Sequence, residues 1–355
     1  MNNREYGIDL LRLFATLGVI TLHIFGIEFP SEGGVINYNT ANFLRIICMC
    51  SVNLFGLITG YLYSQRNKHK YISIISLIIE VLFYSILITI LVHFFRPEWI
   101  HGKVNFIESV FPFGTRLWYA TAYIFVFCVI PYLNIFVRNC ERKDFSNLLK
   151  ILFVLLSICT TFGLKDYFSI NMGYSCFWLV YMYLIGAYIK VYNVRFRKNL
   201  VIFVYVLTVA ILFAWSVVNQ LFKNHISDVI YTRFLAYSSP LILLNAICIF
   251  LIFRDIDVRN AVIRKLLEII SASALAVYII HAHGLMLDNI VYRVLSTRLE
   301  LSPFLFVLFG FMWVIGIFVV CIVIDILRLR IEKWSRFILL KQKMAQKIDS
   351  FLTSK

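Results

Sequence analysis

The feature that most constrains this chain is a series of apolar stretches, each close to twenty residues, that follow one another from Gly7 to about Leu327. A helix needs ~20 apolar residues to cross the ~30 Å hydrocarbon layer of a bilayer. Spans are expected at 7–28, 42–63, 71–95, 117–137, 146–164, 175–192, 199–221, 231–253, 268–292 and 303–327. Within hydrocarbon each segment has to satisfy its own backbone polar groups, so the expected fold is all-α: a polytopic transmembrane helix bundle of about ten spans. Composition agrees. Of 355 residues 61% are hydrophobic and 15% charged, whereas a soluble domain keeps roughly a quarter of its residues charged. The connections are too short to build an aqueous domain of their own. The expected organisation is a membrane-embedded unit over 1–327 and a basic amphipathic tail over 328–355.

The formal net charge is +15, and its distribution decides what it means. In membrane proteins Lys and Arg collect in the cytoplasmic connections. With the N-terminus inside, the inside segments hold Arg4, then Arg66, Lys68 and Lys70, then Arg138, Arg142 and Lys143, then Lys190, Arg195, Arg197 and Lys198, then Arg254, Arg259, Arg264 and Lys265. The tail is basic as well, and the opposite connections are sparse in such residues. Both termini are therefore expected in the cytoplasm, and the charge calls for no nucleic acid. The tail interleaves Arg328, Arg330, Lys333 and Arg336 with Ile331, Trp334 and Phe337, the pattern of a segment lying on an anionic leaflet. The first apolar stretch carries Asp9 and Arg12 and lacks a small-residue cleavage site, so it reads as a retained span. The eight cysteines form no CxxC pair with histidines at metal spacing, which indicates neither a disulfide framework nor a zinc site.

Ionisable side chains inside hydrocarbon are costly, so each marks a candidate site. The first span supplies Asp9, Arg12 and His23. Arg12 and His23 are eleven positions apart, three helical turns plus ~20°, so they share a face with ~16 Å of rise between them. Asp9 shares that face too. The bland alternative is an Asp9–Arg12 pair at the interface and a His23 that merely bonds a neighbouring helix. The ninth span carries His281 and His283, of which one is expected to face a site, with Tyr278 on the face of His281. His23 and His281 fall at similar depth and are expected to meet across the bundle. A metal is not expected, because no set of further ligands lies at that depth except Asp288. In the second span Gly56, Thr59 and Gly60 form a small-residue face suited to close helix contact, and Asn53 is an amide that needs a partner. Arg66 either binds phosphate or only obeys the charge rule. Glu80, deep in the third span, is expected to be protonated or paired.

These residues resemble the integral-membrane acyltransferase family 3, and within it the bacterial surface-polysaccharide O-acetyltransferase branch. Arg12, ten residues, then His23 matches that family's Arg-X10-His signature. "VNLFGLITGYL" resembles its V-x-x-F-x-x-x-S-G-Y block, with Thr59 in the serine place. "EVLFYS" resembles a QVLFYS segment, with Glu80 where glutamine is common. "RLWYATAYIFVFCVIPYLN", "MGYSCFWLVYMYLIGAYIK" and "LAVYIIHAH" are similar to later blocks, in order, to about residue 283. The basic residues usual at the start of the third span are replaced by Tyr71, Ser73 and Ser76.

The resemblance implies a multi-pass protein of the inner (plasma) membrane. It implies transfer of an acetyl or other short acyl group from cytoplasmic acetyl-CoA or another acyl-CoA to a sugar hydroxyl of a surface polysaccharide or its lipid-linked precursor. It implies Arg12 and Arg66 at the donor phosphates and His23 as base or acyl carrier, with His281 beside it. Asp9, Asn53, Tyr61, Trp118, Tyr119 and Tyr278 are candidates for orienting the substrates. The alternative is a transporter of a glycan or lipid-linked intermediate with no covalent chemistry, which has no need of a histidine of particular basicity.

Overall fold

The computed structural model describes residues 4–26, 35–66, 72–113, 116–163, 165–222, 228–296, 298, 300–334, 343 and 347. It is helical, and no strand occurs among the described residues. In chain order the helices are α1 (Tyr6–Phe25), α2 (Val35–Cys48), α3 (Ser51–Tyr63), α4 (Ile72–Phe95), α5 (Gly102–Val110), α6 (Trp118–Asn139), α7 (Arg142–Phe153) and α8 (Cys159–Phe162). There follow α9 (Cys176–Val191), α10 (Lys198–Leu221), α11 (Asp228–Phe234), α12 (Pro240–Arg254), α13 (Ala261–Ala282), α14 (Gly284–Met286), α15 (Arg293–Ser296) and α16 (Pro303–Trp334).

Among the described residues seven helical segments are long and apolar enough to cross a membrane, or eight if α13 and the segment Gly284–Leu295, bent by 60°, count as one span. Two others, α9 with 16 residues and α12 with 15, fall short of the ~20 that a crossing takes. Length alone thus supports fewer than the ten expected. The stretch 231–253 is not continuous: α11 ends at Phe234 and α12 begins at Pro240. Proline is favoured at a helix's first position because its missing N–H would have no partner there. The stretch 268–292 breaks at His283, whose backbone is extended at φ −58°, ψ 132°.

The bundle is arranged around α1, which packs against α2, α3, α12, α13 and α16. A helix surrounded on so many sides turns its polar stripe to protein, and Asp9, Thr16 and Thr21 are all buried. By contrast α10 and α16, apolar over most of their length, bury only 28% and 22% of their span windows, as helices facing lipid do. The tightest packing joins α3 to α9. A β-carbon added to Gly60 would fall on the carbonyl oxygen of Tyr183, and one on Gly186 would fall on that of Leu57. Absent side chains on both helices bring the two backbones together.

Helix α16 runs unbroken past 327, so the expected boundary there lies inside a helix, while 335–342, 344–346 and 348–355 fall outside the described residues. Arg328 turns inward. Its guanidinium lies 2.7 Å from Asp325, 3.0 Å from Glu332 and 3.5 Å from Glu80, and the Tyr84 hydroxyl donates to Asp325 at 2.6 Å. Glu80 is thus paired. Removing this cation from a buried cluster of carboxylates takes away charge compensation they share. Arg328→Ala should therefore lower stability by about 3–5 kcal/mol, read as a lower melting temperature of the detergent-solubilised protein.

Candidate active site

One cavity of ≈ 280 Å³ runs along the inner face of α1 from Arg12 past Thr16 to His23, and α13 closes it with Ser271, Tyr278 and His281. Trp118, Tyr119 and Tyr123 of α6 and Tyr237 complete its wall. Eleven residues of α-helix separate the cation from the imidazole by ~16 Å, and both line this single space.

At the His23 end the two imidazoles meet: His23 Nδ1 lies 3.1 Å from His281 Nε2. His281 Nδ1 in turn bonds the backbone carbonyl of Val277, one turn back on α13. A carbonyl oxygen can only accept, so His281 Nδ1 carries the proton. In the neutral ring its Nε2 is then the acceptor, and His23 Nδ1 must donate to it. That fixes the remaining nitrogen. His23 Nε2 keeps its lone pair, and no described residue hydrogen-bonds to it. The chain Val277 carbonyl, His281, His23 sets tautomer and ring orientation as an outer-shell partner does for a functional histidine.

The lower part of α1 is held from several sides. Asp9 accepts from Arg4 at 2.6 Å, from Ser271 at 2.6 Å and from Arg12 at 3.4 Å. Arg12 itself stays a quarter exposed. Glu5 bridges Tyr61 and Lys190 at 2.8 and 2.5 Å, and Tyr6 donates to Glu268 at 2.8 Å.

Of the residues singled out in the sequence, Arg12, His23, His281, Trp118, Tyr119 and Tyr278 converge on the cavity. Asp9, Asn53, Tyr61, Arg66 and His283 do not line it. Asp9 sits behind Arg12. Asn53 is wholly buried, donating to the Tyr237 carbonyl at 2.9 Å and accepting from Trp178 at 2.8 Å; it fixes the segment that carries Tyr237. Tyr61 belongs to the Glu5–Lys190 cluster, and Arg66 stacks on the Tyr63 ring at 3.9 Å. His283 turns away from His281 and meets the Ser109 carbonyl at 2.9 Å.

Tyr237 was not anticipated. It sits between α11 and α12, tied by Asn53 and by the Ser157 hydroxyl, which donates to the Ser238 carbonyl at 2.6 Å. Gly173, at φ +96°, lies against it; a β-carbon there would come within 2.6 Å of the Tyr237 β-carbon. Nor were Arg45 and Arg116 anticipated as site residues. They line a second space of ≈ 290 Å³ that shares His23, Trp118, Tyr237 and Tyr278 with the first and extends past Gly26 to Tyr174 and Tyr292. His23 therefore stands where two chambers meet, one reaching toward Arg12 and the other toward Arg45 and Arg116.

A family model described as an acyltransferase domain matches residues 5–325, nearly the whole chain. The chain belongs to acyltransferase family 3. No curated protein and no solved structure matches it. As a member of acyltransferase family 3 it is a multi-pass membrane acyltransferase, and the match contains Arg12, His23, His281 and every aromatic side chain of the cavity wall.

Proposed function

We propose that this acyltransferase moves a short acyl group, acetyl in the simplest case, from acyl-CoA to a sugar hydroxyl of a surface polysaccharide or its lipid-linked precursor. The observation that carries the proposal is the hydrogen-bonded relay from Val277 through His281 to His23, which leaves one basic nitrogen at the junction of two chambers.

Donor and acceptor enter from opposite ends. With both termini in the cytoplasm and ten crossings of an inner membrane, the bent α13 segment and the short α9 and α12 counted among them, the Arg12 chamber opens toward the cytosolic acyl-CoA. Arg12, and Arg66 nearer the surface, offer charge-assisted bonds to its phosphates. The pantetheine arm carries the thioester up the cavity to His23. From the other chamber the acceptor presents its hydroxyl. As the hydroxyl oxygen attacks the thioester carbon, His23 Nε2 takes its proton. The tetrahedral oxyanion then collapses, the carbon–sulfur bond breaks, and the departing thiolate recovers the proton from the His23 imidazolium. The new ester and free CoA are the products. The Tyr119 hydroxyl, buried in the cavity wall and without a hydrogen-bond partner among the described residues, is available to donate to the oxyanion. A protein that only transports a glycan has no use for an oriented imidazole pair.

The direct test supplies purified protein in lipid vesicles with acetyl-CoA and a surface-glycan acceptor and measures free thiol. Acceptor-dependent CoA release supports the proposal; export of glycan with no consumption of acetyl-CoA sinks it. Arg12→Ala should raise the KM for acyl-CoA by roughly 10–100-fold, the loss of one or two hydrogen bonds to a charged group, with a smaller change in kcat. An unchanged donor KM would remove Arg12 from the donor site.

A further inference from the structure

The second chamber carries a cation that the reaction just described does not use. Arg45 lies ten residues into α2 and reaches inward, its Nε about one van der Waals contact (4.0 Å) from where a Gly26 β-carbon would stand, and Gly26 is one turn beyond His23 on the chain of α1. Its closest polar partner is the Asn42 side-chain oxygen at 3.5 Å, and among the described residues no carboxylate comes within ion-pair distance of it. Arg116, on the same wall, is matched by Asp288 at 2.8 Å. Among the described residues, then, the chamber's Arg45 has no carboxylate to balance its charge. A guanidinium at membrane depth with no counter-ion is costly to keep. The same space is lined by aromatic rings: Trp118 packs on Tyr174 at 4.6 Å and lies nearly parallel to Tyr237 at 6.2 Å, with an interplanar angle of 23°.

We infer that this chamber is the acceptor site and that the acceptor is anionic: a sugar bearing a carboxylate or phosphate, with the ring against Trp118, Tyr174 and Tyr237 and the negative group on Arg45. The inference rests on the acyl-transfer reading for the direction in which the acceptor enters, and it narrows that reading to acidic glycans. The geometry is that of a small-molecule pocket, mostly apolar walls with a single charged group that fixes orientation. The aromatic rings present apolar faces to the C–H side of a pyranose, and a guanidinium pairs bidentately with carboxylate or phosphate. Arg45 is a specificity residue: it holds the anion so that a neighbouring hydroxyl reaches His23, and it takes no part in proton transfer.

The test is equilibrium binding to the full chain in lipid nanodiscs, which does not depend on turnover. Three labelled disaccharides are compared: one containing glucuronate, its carboxyl-reduced neutral counterpart, and the neutral disaccharide carrying a phosphate ester. The expected result is that one or both anionic disaccharides bind at least tenfold tighter than the neutral one, about 1.4 kcal/mol. The tighter of the two names the acidic group. Arg45→Gln should remove that preference while leaving affinity for the neutral disaccharide and for acetyl-CoA unchanged. Arg45→Lys keeps the charge and should retain part of the preference; it decides the matter should the glutamine variant fail to fold. Equal or absent binding of all three probes by the wild-type protein would overturn the inference. So would an anionic preference that survives Arg45→Gln, or a loss of acetyl-CoA affinity in that variant, which would assign the arginine to the donor. If the wild-type protein binds the anionic sugar yet never releases CoA from acetyl-CoA, the transfer reaction fails and the anion site stands.

Discussion

Replacing His23 by alanine should slow acyl transfer by roughly 10²–10⁴-fold, the usual yield of a positioned general acid–base group. The expectation follows from the direction of the relay. With Val277 accepting from His281 and His281 accepting from His23, His23 Nε2 is the nitrogen of the pair that the proposed reaction uses to take a proton from the acceptor. His23→Gln sharpens the test, because its amide can still donate to His281 yet cannot act as a base. Both variants should be equally poor in kcat while binding acyl-CoA as the wild type does. The measurement is free CoA released per enzyme at saturating donor. A glutamine variant that keeps the wild-type rate would show that the imidazole does not carry the proton.

The second large effect concerns His281. Without its Nε2, His23 Nδ1 loses its acceptor and the ring is free to adopt the other tautomer or rotate, which misplaces the lone pair. His281→Ala should lower kcat by about 10²-fold or more, as misorienting a catalytic histidine does elsewhere, with little change in either KM. His281→Gln restores a carbonyl acceptor near the same point and should recover part of the loss. A purely structural role would predict equal defects in the two variants, or a defect in stability rather than in kcat. Steady-state kinetics on both, with melting temperatures as a control, separates these outcomes.

The sequence makes the working stripe of α1 legible because a regular helix converts spacing into geometry. Arg12 and His23 share a face by their separation alone, and intramembrane cost marks both as unusual. His281 was reachable by matching depth. That α3 makes a close helix contact was readable from Gly56, Thr59 and Gly60, but not that the partner is α9 with its Gly186. What periodicity could not deliver was anything placed by a break. Residues 231–253 are mostly apolar despite Arg233, Ser238 and Ser239, so averaged hydropathy runs straight across the connection that holds Tyr237. The signal there was local, Ser238-Ser239-Pro240, a helix-start pattern outweighed by the surrounding composition. Arg45 and Arg116 belong to different helices and connections, and no sequence spacing relates them to His23. The inward turn of Arg328 was missed for a related reason. A basic residue next to a membrane segment reads as a surface anchor unless its partners, here Glu80 and Asp325, are known to converge on it.

Helix α1 is fastened at both extremities: below by Glu5, Tyr6 and Asp9 to Lys190, Glu268 and Ser271, above by His23 to His281. A rod clamped in this way acts as a gauge. One residue inserted between Arg12 and His23 would swing the upper clamp by ~100° and lift it ~1.5 Å, so the imidazole would no longer meet its partner. The intervening side chains are free to differ wherever the walls have room, but their number is set by the distance between the two fastenings.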